Sequence, residues 1–82
     1  MSHFTINDVD QEILRTVDGL QGGTHMSIAA HQITRRVSEK LGVTQFSVNL
    51  ALNHLQKRRV LRRARHGFYS LTNEGQDILA SI

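Results

Sequence analysis

The sequence predicts a mainly α domain with one small β-hairpin, in the order helix, candidate short strand, helix, turn, helix, hairpin, helix. Three observations carry that expectation. Apolar residues recur at steps of three and four in successive stretches up to Leu55. A Gly42-Val43-Thr44 turn joins the second and third of the helices. Beyond Leu55 the period changes to short branched and aromatic runs on either side of Arg65-His66-Gly67. The chain of 82 residues has room for one core, so residues 1–82 are read as one domain.

The first helix begins at Thr5-Ile6-Asn7-Asp8, which has capping-box spacing, with Asn7 as a second candidate cap. Ile6, Val9, Ile13, Val17 and Leu20 form its apolar stripe. Asp8, Asp10 and Glu12 crowd the first turns, where the helix dipole favours negative charge, and are read as helix-start chemistry. Gly19 and Gly22-Gly23 end the helix. Thr24 to Ile28 is open to two readings: Met26-Ser27-Ile28 is a short extended segment, or Ser27 caps the next helix. Ala30, Ile33, Val37 and Leu41 then line a second helix, and Gly42 suits its left-handed C-terminal position. Thr44 caps a third helix over 45–58 that buries Val48, Leu52 and Leu55, with Ala51 beside them.

Val60-Leu61-Arg62-Arg63-Ala64 and Phe68-Tyr69-Ser70-Leu71 read as the two strands of a hairpin over 60–71. Strand parity sets the register. If Leu61 shares a face with Tyr69 and Leu71, then Leu61 opposes Leu71, Arg63 opposes Tyr69 and Ala64 opposes Phe68. The loop is then the three residues Arg65-His66-Gly67, with Gly67 left-handed. Thr72 caps a last helix from Asn73 to about Ser81, with Ile78, Leu79 and Ile82 apolar.

Composition narrows the function. The chain contains no cysteine, so disulfides, thiolate metal sites and a cysteine nucleophile are excluded. No apolar run exceeds three residues, so no membrane partner is expected. Met1-Ser2-His3-Phe4-Thr5 lacks the order of a secretory signal, and a cytoplasmic protein is expected. The five histidines, His3, His25, His31, His54 and His66, show no ligand spacing, so neither metal nor cofactor is expected. Ser27, His31 and Asp18 can be imagined as a triad, but any small polar domain offers such a set, and the chain is not read as an enzyme.

Charge supplies the positive clue. Residues 1–20 carry four acids against Arg15, whereas residues 21–72 carry nine bases against Glu39 alone. Lys57, Arg58, Arg59, Arg62, Arg63 and Arg65 follow one another without an acid. Such a run is either a solvated face or the footprint of a polyanion, and the asymmetry favours the polyanion. Lys57-Arg58-Arg59 also suit the negative end of a helix dipole.

The order of elements resembles the winged helix-turn-helix. Ile33-Thr34-Arg35-Arg36-Val37-Ser38-Glu39-Lys40-Leu41-Gly42-Val43-Thr44 is similar to the second helix and turn of many bacterial and archaeal transcription regulators. Val48, Leu52, Leu55 and Val60-Leu61 resemble their third helix running into the first wing strand. Tyr69-Ser70-Leu71-Thr72-Asn73-Glu74-Gly75 is similar to the Tyr-x-Leu-Thr-x-x-Gly junction of MarR-like and PadR-like regulators. The resemblance covers residues 9–80. One departure is Arg59, where such regulators usually carry glycine, which implies a less sharp exit from the third helix here.

The resemblance implies double-stranded DNA as partner, with the third helix in the major groove and the wing along a phosphate backbone or minor groove. Gln45, Phe46, Asn49, Leu50 and Asn53 would face the groove, where amides make bidentate contacts to adenine. Thr44 and Ser47 would take phosphates at the helix start. Lys57, Arg62, Arg63 and Arg65 would neutralise phosphates, with Arg65 or His66 at the wing tip. Arg63 has a second reading, covering Tyr69 with its aliphatic stem. Phe46 and Leu50 have three: contact with a thymine methyl, a protein-docking patch, or packing of one of them on the second or first helix. A symmetric dimer through the first helix, or through Ile78, Leu79 and Ile82, is expected on DNA. The alternatives are a replication, architectural or RNA-binding module, and a winged-helix protein-interaction module.

Overall fold

A computed structural model of the chain describes residues 7–24 and 26–82. It contains α1 (Asp8–Gln21), β1 (Ile28–Ala29), α2 (Ala30–Leu41), α3 (Gln45–Lys57), β2 (Leu61–Arg65), β3 (Phe68–Leu71) and α4 (Asn73–Ser81). The molecule is thus mainly helical, with a three-stranded antiparallel sheet of order β1-β3-β2.

Asn7 caps α1 by accepting the Asp10 N–H at 2.8 Å. Thr5 and Ile6, the other proposed cap and the first stripe residue, lie outside the described residues. Gly22 terminates α1 in the left-handed conformation and donates its N–H to the Asp18 carbonyl at 3.1 Å. Gly19 does not end the helix, contrary to expectation, and sits in its interior. The buried face of α1 is also wider than the predicted stripe. Leu14 is fully buried beside Ile13 and Val17, whereas Val9 and Leu20 only flank the core.

Ser27 does not cap α2. Ala29 occupies that position with no side-chain bond, and Ile28–Ala29 form an edge strand paired with Tyr69 and Phe68. The Ala30 N–H, one of the donors a helix start leaves unpaired, reaches the Gly67 carbonyl at 2.7 Å. The start of α2 is therefore fastened to the hairpin turn. Its end is as predicted: Gly42 is left-handed and bonds Ser38, while the Ser38 hydroxyl donates to the Val43 carbonyl at 2.5 Å. Thr44 then caps α3 by accepting the Ser47 N–H at 3.1 Å. Val48, Leu52 and Leu55 point into the core against Ile13, Leu14, Ile33 and Val37.

The helix expected over 45–58 ends at Lys57, with Arg58 as its C-cap. Arg59 follows at φ 62, so the chain turns here as sharply as a glycine would allow. The expected softer exit is overturned.

The hairpin keeps the predicted register at Leu61↔Leu71 and Arg63↔Tyr69, and Leu61, Tyr69 and Leu71 are buried together. Towards the tip it departs. Arg65, not Ala64, opposes Phe68, because a bulge between Arg63 and Arg65 absorbs one residue. The loop is therefore His66-Gly67 and not three residues. A bulge reconciles a two-residue loop with a register that strict alternation assigns to a longer one.

The hairpin's base is locked to α4 through Thr72. Its hydroxyl accepts the Gly75 N–H at 3.0 Å and lies 2.6 Å from the Arg59 carbonyl and 3.0 Å from the Val60 carbonyl. The Thr72 N–H also donates to Val60. Gly75 is buried against that same carbonyl, which explains why this position lacks a side chain. Ile78 and Leu79 pack half-buried on the core and Ile82 is exposed. Among the described residues no helix is long and apolar enough to cross a membrane.

Candidate nucleic-acid interface

Burying Val48, Leu52 and Leu55 turns the opposite face of α3 outward. Gln45, Phe46, Ser47, Asn49, Leu50 and Asn53 are all exposed. Phe46 is 71 % and Leu50 54 % exposed, so packing on α1 or α2 hides neither. The reading in which packing hides this pair is thereby overturned: α3 presents an i, i+4 apolar pair beside Asn49 and Asn53. Thr44 and Ser47 at the helix start are less free than expected. Thr44 Oγ1 is the α3 cap and lies 2.9 Å from Ser47 Oγ, so the hydroxyls present themselves as a bonded pair.

The basic residues lie where α3 ends and along β2, an edge strand. Lys57, Arg59, Arg62, Arg63 and Arg65 are exposed, and none joins an ion pair among the described residues. Of the three bases of α2, Arg36 joins no ion pair among the described residues, but the other two differ. Arg35 pairs with Glu39 at 3.2 Å, and Lys40 reaches Glu12, whose side chain is nearly buried, at 3.2 Å. Apart from Arg15 and Arg36, the bases outside these two ion pairs lie at the end of α3 and along β2.

The hairpin tip is more organised than charge counting implied. Arg63 Nη2 donates to His66 Nδ1 at 2.7 Å, which requires that ring nitrogen to be unprotonated. The Arg65 guanidinium lies 4.5 Å from the centre of the Phe68 ring, a cation–π contact produced by the bulge that sets these residues opposite one another. Arg63 does lie opposite Tyr69, but its head is drawn to His66.

Two features escaped the sequence reading. Asp10 is 3 % exposed, and burial raises its pKa against the opposing pull of the Asn7 N–H and the charge of His54. Asp10 and His54 line a cleft of about 410 Å³ between α1 and α3, with Asn7, Val9, Ser47, Leu50 and Ala51. Helical periodicity on each helix alone gives no sign that these two approach. The second is Arg59, whose occupation of a glycine-like position was the available signal. Ser27, His31 and Asp18, the imagined nucleophilic set, make no hydrogen bond with one another.

No family model, curated protein or solved structure matches the chain.

Proposed function

We propose that this chain is a winged helix-turn-helix protein that binds double-stranded DNA sequence-specifically, as a small transcription regulator. The observation that carries the reading is a continuous exposed surface. It runs from the amide-bearing face of α3 to the arginines of β2, and Thr44 to Leu71 contain no acid at all. In this reading α3 enters the major groove. Asn49 and Asn53, one turn apart, meet base edges, because an amide both donates and accepts and so matches adenine N6 and N7. Gln45 lies at the leading end, and Phe46 or Leu50 covers a thymine methyl. Lys57, Arg62, Arg63 and Arg65 neutralise phosphates, the stacked Arg65 being pre-ordered for contact at the wing tip. Two copies bind a palindromic site with their α3 helices about one DNA turn, ~34 Å, apart.

The test is a titration of duplex fragments selected from genomic DNA, against random duplex and RNA, at several salt concentrations. About five phosphate contacts per protomer give a log–log salt slope of roughly −4 to −5. Light scattering of the complex should register two copies. A flat salt response, or equal affinity for every nucleic acid, refutes the reading. The exposure of Phe46 and Leu50 favours one rival, a protein-docking face on α3. It would show as a protein complex abolished by Phe46→Ala and Leu50→Ala in a chain without DNA affinity.

A further inference from the structure

We infer that the elbow between α3 and β2 is a seat for a phosphate group, supplied by a nucleic-acid backbone and held by Arg59 and Arg62. The inference deepens the DNA-binding reading and adds Arg59 to the surface that reading describes. A cleft of about 320 Å³ opens at this elbow, lined by Gln56, Arg59, Leu61, Arg62, Arg63 and Thr72. Three of its six lining residues are arginines and none is an acid.

Arg59 is the described non-glycine residue with positive φ, at 62°. An L side chain reaches that conformation only against the clash of its Cβ with the backbone, which glycine avoids. The backbone is nevertheless held there from both sides. The Arg59 N–H donates to the Gln56 carbonyl at 3.0 Å, and the Arg59 carbonyl accepts from Thr72 Oγ1 at 2.6 Å. The direction in which the side chain leaves the elbow is therefore fixed. Among the described residues the Arg59 guanidinium has no hydrogen bond, ion pair or ring contact. A glycine would make the same turn without strain, so the turn alone does not account for arginine. Strain retained without a structural return points to a ligand.

The Arg62 guanidinium is equally unpartnered among the described residues, while the Arg63 head is held by His66. Two arginines without a partner among the described residues thus line one cleft, and a planar guanidinium fork suits the oxygens of a phosphate. The Gln56 amide on the same wall supplies a further donor. The cleft is continuous with the acid-free surface of α3 and β2, which is why a backbone phosphate is assigned in preference to a free one.

Arg59→Gly separates the two roles, because it relieves the backbone while removing the side chain. The thermal midpoint should stay level or rise. Affinity for duplex DNA should fall about 8-fold at 0.1 M salt, with the log–log slope shallower by about 0.9, the signature of one phosphate contact. A glycine variant with the parent's affinity and slope overturns the inference and leaves the DNA-binding reading intact. A second arm uses pyrophosphate at constant ionic strength, followed through the arginine Nε–Hε resonances of the unaltered protein. Arg59 and Arg62 should shift and Arg15 should not. If the parent chain binds no duplex, the DNA-binding reading and the backbone source both fail. Shifts at Arg59 and Arg62 then sustain the seat for a free phosphate, and their absence overturns it.

Discussion

Replacing Gly75 with alanine adds one methyl group inside α4, and the sign of its effect distinguishes helix propensity from packing. In an open helix the change stabilises by about 0.8–1 kcal/mol. Here the new Cβ lands on the Val60 carbonyl oxygen and 3.1 Å from Leu71 Cδ2. That carbonyl is not free to retreat. It accepts from the Thr72 N–H at 3.2 Å and sits 3.0 Å from the Thr72 hydroxyl. Giving up those two bonds costs about 1 kcal/mol each. Crowding Leu71 in a packed core adds about 1–3 kcal/mol. After the propensity gain is deducted, Gly75→Ala should destabilise by about 2–4 kcal/mol, lowering the thermal midpoint by at least roughly 10 °C in a domain of this size. Gly19→Ala is the control. Gly19 is also helical, but nothing lies within 4 Å of its added Cβ, so this variant should be more stable than the parent by about 0.8 kcal/mol. Thermal and urea denaturation by circular dichroism reads both. If Gly75→Ala raises the midpoint as Gly19→Ala does, the account of the hairpin–α4 junction is wrong.

The same junction predicts that Thr72→Val, which keeps shape but removes the cap and the tie to the elbow, costs about 2 kcal/mol in urea unfolding; an unchanged midpoint would contradict it. Asp10 has a folded-state pKa above its unfolded value, so its contribution to stability is present below pH 3.8 and is lost as pH rises through the raised value. Asp10→Asn should therefore be more stable than the parent at neutral pH, with the advantage shrinking on acidification; a gain independent of pH would dismiss burial as the cause. Asn49→Ala and Asn53→Ala should each cost about 1–3 kcal/mol on the preferred DNA site and little on random duplex. Arg65→Ala should weaken both equally and reduce the salt slope by about one. Uniform losses in the asparagine variants, measured by anisotropy on the two duplexes, would remove them from base reading.

The amino-acid sequence by itself determined the features that depend on a few neighbouring residues. The caps at Asn7, Thr44 and Thr72 follow from short polar side chains placed to accept the N–H three residues on. The left-handed stop at Gly42 follows from the absence of a Cβ. The buried faces of α2 and α3 follow from helical periodicity, and the exposed face of α3 is the complement of its buried one. Tertiary structure decided the rest. Helix α1 touches α2, α3, α4, β1 and β3, so its buried arc widens to take in Leu14, Asp10 and Glu12. Strand β1 is two residues long and owes its existence to the edge of β3, not to any local preference. The bulge that sets Arg65 over Phe68 settles a conflict between loop length and register that neither strand resolves alone. Phe46 and Leu50 are exposed because no neighbouring element covers them, a fact about the arrangement of other elements that their own spacing cannot encode. Arg59 joins the two levels: its residue type is written in the sequence, but its left-handed backbone is imposed by the Thr72 and Gln56 bonds that only the folded elbow brings together.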